Sequence, residues 1–429
     1  MSRRQIWIPA ILWLLAGAVF CQSRRGLRMD HRLFPGLHMM DGNWAALLAA
    51  SDGKVYVGLT YHGGSGHLVY YDSKAGRMQD VGDLNTLTGE AHLRRGPQSK
   101  IHSKFGEGAD GRIYFATHAG YSFNKARFGA KEGYPGSHWM AFDPKTGRVE
   151  DFGLGVPNQG VNTGNYDPRF NRIYGLSNPK GEFVYYDVAT RRAVNKGRLN
   201  NFESICRTLG IDGQGNVYGS FGAGRVFKYD PRTDAIQELS VRLPIREKGI
   251  SLGRDYDKSE TAWRTVVWDQ QTSRFYGVEE SASILFSFDP RAGKPGQIRR
   301  LGQLCIPGFE DRRDVPYATL SLTLGHDRKL YYGAAAREFD YAGSAGLATS
   351  HLLTYDLNTG KTEDLGEMLL GDGRRVIGTN AADTGLDGAI YLVGAIEVRP
   401  QPGQPLEAAE RGIGDAYYRL ALLIYRPGR

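Results

Sequence analysis

A short motif that ends in tyrosine recurs along the chain and constrains the fold more than any other feature. Its clearest copies are Asp52–Gly58, Asp110–Phe115 and Asp387–Leu392, each beginning Asp-Gly and continuing as an apolar run around the tyrosine. Asp-Gly accepts positive φ angles and joins two strands in a tight hairpin, and alternating apolar residues form half-buried strands. When the less regular copies of the motif are included, it contains seven tyrosines: Tyr56, Tyr114, Tyr174, Tyr218, Tyr276, Tyr331 and Tyr391.

Each tyrosine lies in the second strand of a unit, and it is followed by a third strand and by a turn that opens a fourth. The third strand ends in an aromatic-Asp pair, as at Phe142-Asp143, and Pro144–Gly147 is the cleanest of the turns that follow. Four strands joined in this way form a small sheet that cannot bury both of its faces alone, whereas stacking seven of them radially covers the faces. The sequence therefore predicts an all-β protein, a seven-bladed β-propeller of four-stranded blades.

The last blade lacks a fourth strand of its own, because the chain ends soon after Leu420–Tyr425. The segment Arg24–Leu37 precedes the first blade and belongs to no other copy of the repeat. We expect it to complete the last blade and close the ring, which removes an open sheet edge. The mature chain, residues 22–429, is then a single propeller domain.

The first 21 residues are typical of an export signal. Arg3 and Arg4 precede the apolar stretch Ile6–Phe20, and Ala16–Ala18 is a small-x-small cleavage site. We predict a signal peptide over residues 1–21 and a periplasmic or secreted protein. Lipid anchoring at Cys21 is the less favoured alternative, because bulky Phe20 precedes it. No second long apolar run follows, so we predict no integral membrane segment after signal removal, and we expect a monomer.

The net charge and the cysteines limit which binding partners, disulfides and metal sites can be expected. The chain carries a net charge of +8, which falls to +6 when Arg3 and Arg4 leave with the signal. This bias favours an acidic polysaccharide, and without a Lys/Arg cluster nucleic acid is not an expected partner. Cys206 and Cys305 form either one disulfide or two buried thiols, and neither belongs to a zinc motif. We expect no cofactor, with a divalent metal as the open alternative.

The tyrosines also supply a register for the blades. The residue twelve positions before each tyrosine begins an inner strand, and the residue four positions after it ends the second strand, so the two should face each other. The inner positions are Trp44, His102, Asn162, Cys206, Arg264, Thr319 and Thr379. Their partners are Thr60, His118, Asn178, Gly222, Glu280, Ala335 and Ala395.

This register predicts a polar site at one end of the ring, centred on His102 and His118. Two facing imidazoles suit a general base and a proton donor near neutral pH, or a metal. Tyr121 lies on the adjoining loop as a third catalytic candidate. The predicted substrate-binding residues are Asn162, Asn178, Arg207, Arg264 and Glu280, although Arg264 and Glu280 alternatively form only a salt bridge. Five other histidines are interpreted as surface residues: His62, His67, His138, His326 and His351.

The stretch Lys100–His118 resembles the secreted β-propeller polysaccharide lyases of the ulvan-lyase type, whose style of blade runs through the mature chain. The resemblance implies β-elimination on a uronate-containing glycan, with His102 and His118 as the positions that carry over. Those lyases also use a Tyr and an Arg, and the next blade here has Asn162 and Asn178 instead. In this chain the roles of that Tyr and that Arg would then fall to Tyr121, Arg207 or Arg264.

Two other functions compete with a lyase. Propellers are common binding platforms, so the chain is alternatively a non-catalytic glycan- or protein-binding protein. A metal-dependent hydrolase is disfavoured, because Glu280 is the only carboxylate among the register positions and hard cations prefer several.

Overall fold

The structure is a computed structural model that describes residues 26–93, 95–120, 133–199, 206–245, 250–251, 254–255, 261–293, 295–309, 318–339, 345–409 and 416–428. The predicted signal peptide and the candidate residue Tyr121 lie outside these ranges. Strands dominate the described chain, and its α-helix is a single turn, α1 (Leu84–Leu87). No helix in the described part is long and apolar enough to cross a membrane.

Five separate sheets of four or five strands follow one another along the chain. Sheet 1 contains β2 (Leu47–Ala49), β3 (Lys54–Leu59), β4 (His67–Asp72) and β5 (Arg77–Asp83). Sheet 2 contains β6 (Gln98–Ile101), β7 (Gly106–Glu107), β8 (Ile113–Ala119), β9 (Gly136–Asp143) and β10 (Arg148–Pro157). Sheet 3 contains β11 (Gly160–Asp167), β12 (Arg172–Asn178), β13 (Glu182–Asp187) and β14 (Arg192–Arg198).

Sheet 4 contains β15 (Gly210–Ile211), β16 (Val217–Phe221), β17 (Arg225–Asp230) and β18 (Ala235–Arg242). A two-stranded hairpin, β19 (Ile250–Ser251) and β20 (Arg254–Asp255), precedes sheet 5. Sheet 5 contains β21 (Trp263–Asp269), β22 (Arg274–Glu279), β23 (Ile284–Asp289) and β24 (Gln297–Gln303).

The remaining strands form one continuous eight-stranded sheet. They are β25 (Leu322–Leu324), β26 (Lys329–Phe339), β27 (Ala345–Asp356), β28 (Thr362–Leu370), β29 (Val376–Thr384), β30 (Ile390–Val398), β31 (Tyr417–Tyr425) and the first strand of the chain, β1 (Gly26–Leu33). β1 runs antiparallel to β31, with Asp30 opposite Ile424, and parallel to β28, with Gly26 opposite Glu367. Within the described residues, the separate sheets of four or five strands therefore number five, and not the seven that the sequence predicts.

The tyrosine motif has a definite structural role at the hairpin turns. The hydroxyl of Tyr56 donates to Asp52 at 2.8 Å, and that of Tyr114 donates to Asp110 at 2.9 Å. Tyr331 does the same to Asp327 at 2.9 Å. In these three hairpins the Asp that opens the turn thus anchors the phenol of the strand that follows, and the repeat in the sequence corresponds to a repeated hydrogen bond.

The core is divided into layers between neighbouring sheets. One layer packs Leu47 and Val57 of sheet 1 against Val393 and Leu422 of the eight-stranded sheet, and all four are buried. Similar clusters lie between the other neighbours along the chain. This radial packing of sheets is a β-propeller arrangement, in which each sheet is stabilised by the next. Cys206 and Cys305 are buried in two different clusters and form no disulfide with each other.

Three histidines that the sequence placed on the surface are buried. His62 is 7 % exposed, and His138 and His351 are each 5 % exposed. His138 lies in β9 and His351 in β27, so both belong to strands. Each is buried because a carboxylate accepts a hydrogen bond from its ring: Asp41, Asp151 and Asp364, respectively. The surface prediction was wrong for these three residues.

Candidate functional site

The candidate site is centred on His102 and His118 in sheet 2. His102 directly follows β6, and His118 lies near the end of β8, which pairs with β6. Their ring centroids are 5.6 Å apart, and both side chains are at least nine-tenths buried. The structure therefore brings together the two imidazoles that the sequence singled out.

The register prediction was wrong by two residues. The cross-strand partner of His118 is Lys100 and not His102, and the partner of Asn178 is Gly160 and not Asn162. Part of this offset comes from irregularities in the inner strands, such as the bulge between Val161 and Thr163. A bulge adds one residue to one strand only, so counting along the sequence does not detect it.

An aromatic ring from the segment just before β2 packs on His102. Trp44 stacks on His102 with ring centroids 5.4 Å apart and an interplanar angle of 9°. The ammonium group of Lys100 lies 5.4 Å from the centroid of the Trp44 ring, within the range of a cation–π interaction. Trp44 is only half-buried, so part of the indole remains available to a ligand.

A chain of polar contacts leads from sheet 1 to Lys100. The Nδ1 atom of His62 lies 2.8 Å from Oδ1 of Asp41, and the backbone N–H of His62 also donates to that carboxylate. The Nε2 atom of His62 lies 3.5 Å from Nζ of Lys100. Asp41 is therefore connected through the imidazole of His62 to a lysine that is 7 % exposed.

Burial and neighbouring cations set the protonation of this cluster. Burial is the main cause that lowers the pKa of His102 and of His118 well below the usual value, and Lys100 and Arg207 act in the same direction. The pKa of Lys100 is lowered to about 8, mainly by burial and then by Arg207, while Asp41 opposes the shift. At neutral pH the two imidazoles are thus unprotonated, and Lys100 carries a positive charge.

Sheet 3 supports His118 from the other side. Asn162 is 6 % exposed, and its hydrogen bond with His118 acts against the lowering of the His118 pKa. Gly160 approaches the ring so closely that a Cβ atom at this position would overlap Nδ1 of His118. Asn178, which pairs with Gly160, is only half-buried. Of the two predicted asparagines, Asn162 is the one with a bond to the histidine.

Arg264 and Glu280 form an ion pair on sheet 5. Nη1 of Arg264 lies 3.1 Å from Oε1 of Glu280, and Arg264 is 4 % exposed. Glu279, the next residue back, accepts hydrogen bonds from the backbone N–H groups of Ser281, Ala282 and Ile284 and so holds the loop that carries Glu280. The sequence predicted that these two side chains either bind a ligand or form only a salt bridge, and the structure shows that they contact each other.

Three residues of this cluster were not among the site residues predicted from the sequence: Lys100, His62 and Asp41. A signal for Lys100 was present, because it alternates with His102 on one strand. Among the described residues no group of three or more His, Cys, Asp or Glu side chains is arranged to hold a metal ion. The cluster is instead a pair of neutral bases beside cations, an arrangement suited to an anionic ligand and to proton abstraction.

Comparisons with known proteins support the fold. No protein-family model matches the chain, and no curated protein matches it. Among solved structures, a fungal alcohol oxidase of the AA5 family in complex with copper aligns with a TM-score of 0.58 at 12 % identity, over 94 % of this chain and 77 % of that one. The WD40 repeats of RRP9 align with a TM-score of 0.54 at 11 % identity, over 92 % and 98 %.

The extracellular domain of a hybrid two-component system from B. thetaiotaomicron aligns with a TM-score of 0.53 at 12 % identity. The alignment covers 92 % of this chain but only 39 % of that structure, so the chain spans about two fifths of its length. At these identities the likeness concerns the fold alone, which is a β-propeller.

Proposed function

We propose that this chain is an exported enzyme that cleaves an anionic, uronate-containing polysaccharide by β-elimination. The observation that carries the proposal is the buried pair His102 and His118, unprotonated at neutral pH and adjacent to the positive charge of Lys100. A neutral imidazole accepts a proton, and a nearby cation stabilises the negative charge that proton removal creates on a substrate.

The elimination requires three chemical functions from the protein: a base, a positive charge and a proton donor. A base removes the proton at C5 of the uronate, cations stabilise the enolate that forms on the carboxylate, and the oxygen at C4 leaves with a proton. One histidine of the pair is the base, and the imidazolium that it becomes returns the proton to the leaving oxygen. Lys100 and Arg207 supply the positive charge, and Asn162 orients His118. The ion pair of Arg264 with Glu280 contacts more distant parts of the ligand.

The fold part of the proposal is a closed ring of seven blades. In this interpretation β25–β28 form the sixth blade, and β29–β31 with β1 form the seventh. The contact between sheet 1 and β29 supports closure, because the backbone N–H of Ala49 donates to Asp383 at 2.9 Å. The single domain then covers residues 22–429, as a monomer that works without a cofactor.

Export is also part of the proposal. The sequence of residues 1–21 supports a signal peptide and a periplasmic or secreted protein, with lipid anchoring at Cys21 as the alternative. One of the similar structures is itself an extracellular domain.

A screen of anionic polysaccharides for the ultraviolet absorbance of a 4,5-unsaturated uronate tests the activity. We expect one uronate polymer to give this product with the wild-type chain, and the His102→Ala variant to give none while remaining folded. His67→Gln is the matched control, because His67 pairs with Asp80 on an exposed part of sheet 1. Full activity of His102→Ala would remove this histidine from the mechanism.

The competing function is glycan binding without cleavage, for which the half-buried Trp44 provides a platform. Equilibrium dialysis on the same polysaccharides separates the two functions. Retention of a glycan with no new absorbance after long incubation would favour the binding protein over the lyase.

A further inference from the structure

We propose that Lys100 is the centre of an anion-binding site for the carboxylate of a sugar acid, and that Asp41 and His62 are its positioning residues. The identity of the ligand as a uronate rests on the proposed function, whereas the need for an anion follows from the surroundings of Lys100 alone.

Lys100 is a buried cation without an acidic partner. Its side chain is more than nine-tenths buried, yet no carboxylate in the described part of the chain lies within ion-pair distance of Nζ. Its polar contact is the Nε2 atom of His62 at 3.5 Å, and its other neighbour is the face of Trp44. A buried ammonium that lacks a counter-charge is costly, and an incoming anion removes that cost.

The contacts of His62 determine how Lys100 is oriented. Because the carboxylate of Asp41 accepts a hydrogen bond from Nδ1–H of His62, the other ring nitrogen, Nε2, carries a lone pair. That lone pair accepts a hydrogen bond from the ammonium group of Lys100. One of the three ammonium N–H groups is thereby fixed, and the others are left to bind oxygen atoms of a ligand.

The groups around Lys100 favour a negatively charged ligand. Among the described residues, the titratable and charged groups that act on this region are His62, His102, His118 and Arg207, with Asp41 as the single acid. Asp41 is already hydrogen-bonded to His62, and its one negative charge is outweighed by the charges of Lys100 and Arg207. The balance of the cluster is therefore positive when Lys100 is protonated.

The position of Lys100 favours a carboxylate over other anions. Lys100 is the cross-strand partner of His118 and lies two residues before His102. In a uronate, the carboxylate is attached to the carbon that loses its proton. A cation that binds the carboxylate must therefore lie beside the base, and Lys100 does.

Isothermal titration calorimetry with sodium glucuronate tests this site, with glucose as the uncharged analogue and sodium sulfate as a second anion. We expect Lys100→Met to weaken glucuronate binding by about tenfold to a hundredfold, because a hydrogen bond to a charged group is lost. Any weak binding of glucose should not change. Lys54→Met is the matched control, since Lys54 pairs with Asp52 at the surface. Undiminished glucuronate affinity in Lys100→Met, or tighter binding of sulfate than of glucuronate, would overturn the assignment.

The positioning role of Asp41 predicts a shift in pH dependence. Glucuronate binding should be lost as pH rises through about 8, where Lys100 loses its proton. Since Asp41 raises the pKa of Lys100, Asp41→Asn should move this midpoint to lower pH. A purely structural role would lower affinity at every pH and leave the midpoint in place, and that result would reject Asp41 as a positioning residue.

The binding and cleavage assays fail independently. Glucuronate binding that depends on Lys100, with no cleavage of any uronate polymer, would retain the anion site and reject the lyase. Cleavage that is unaffected in Lys100→Met would retain the lyase and reject the anion site.

Discussion

Gly160 and His118 are in direct contact across the boundary between sheets 2 and 3, and the contact leaves no room for a side chain on Gly160. A Cβ atom at position 160 would overlap Nδ1 of His118. The φ angle of Gly160 is not in the left-handed region, so the requirement for glycine is one of space and not of backbone conformation. The ring orientation of a central site residue is thus fixed by the backbone of the neighbouring sheet.

We therefore expect Gly160→Ala to reduce uronate elimination while the protein remains folded. The added methyl group must displace the His118 ring, and a displacement of about 1 Å at a reacting group costs on the order of a hundredfold in kcat/KM. Gly378→Ala is the matched control, because nothing lies within 4 Å of a Cβ atom there. Equal activity of the two variants would show that the position of His118 is unimportant.

The hydrogen bond of the repeated tyrosine predicts a loss of stability. In Tyr56→Phe the buried phenol loses its bond to Asp52, and we expect the free energy of unfolding to fall by about 1 kcal/mol. Tyr391→Phe is the control, since no hydrogen bond of the Tyr391 hydroxyl is found within the described residues. Urea denaturation measures both variants, and identical midpoints would contradict a stabilising role for the Asp-Tyr bond.

The strands and hairpins were predictable because their signals are local. The motif from Asp110 to Tyr114 contains both the turn and the residue that hydrogen-bonds to it, so the sequence displays the whole unit. The number of separate sheets was not predictable in this way. The join between β1 and β28 pairs two strands that are far apart in the sequence, which no local pattern encodes.

Three histidines on strands share a sequence signal that was not used in the prediction from the sequence. His67, His138 and His351 each pair with an aspartate thirteen residues later, on the strand that follows. Each of these aspartates belongs to an Asp-x-Gly turn and accepts the glycine N–H. A recurring His–Asp spacing is a reason to expect paired, partly buried histidines. The contact of His62 with Lys100 has no such signal, because it joins two sheets.

The seam between the two ends of the chain predicts a further stability effect. Met29 on β1 is 1 % exposed and packs in a cluster with Met368 and Leu370. We expect Met29→Ala to lower the free energy of unfolding by about 2–4 kcal/mol, as for other buried side chains. Arg28→Ala on the same strand is exposed and should change it by less than about 0.5 kcal/mol. Circular dichroism during urea unfolding gives both values, and a small effect of Met29→Ala would argue that β1 adds little to the stability of the eight-stranded sheet.

His138 predicts how stability depends on pH. Its Nδ1 lies 2.9 Å from Asp151 and its Nε2 lies 3.2 Å from Glu90, so both ring nitrogens donate to carboxylates only when the imidazole is protonated. Although burial opposes it, these contacts raise the pKa of His138 to about 9, above the usual 6.5. A raised pKa means that the folded state holds its proton where the unfolded state has lost it. The stabilisation is complete below pH 6.5 and disappears as pH rises through about 9.

We therefore expect the free energy of unfolding of the wild type to fall between pH 6.5 and 9 by on the order of 1–3 kcal/mol more than that of His138→Gln. Subtracting the pH dependence of His138→Gln from that of the wild type removes the contribution of the other titrating groups and leaves that of His138. His67→Gln serves as the control for removing a more exposed histidine of the same kind. Urea denaturation at several pH values measures the slopes, and parallel curves for the wild type and His138→Gln would show that the imidazole is not held protonated between its two carboxylates.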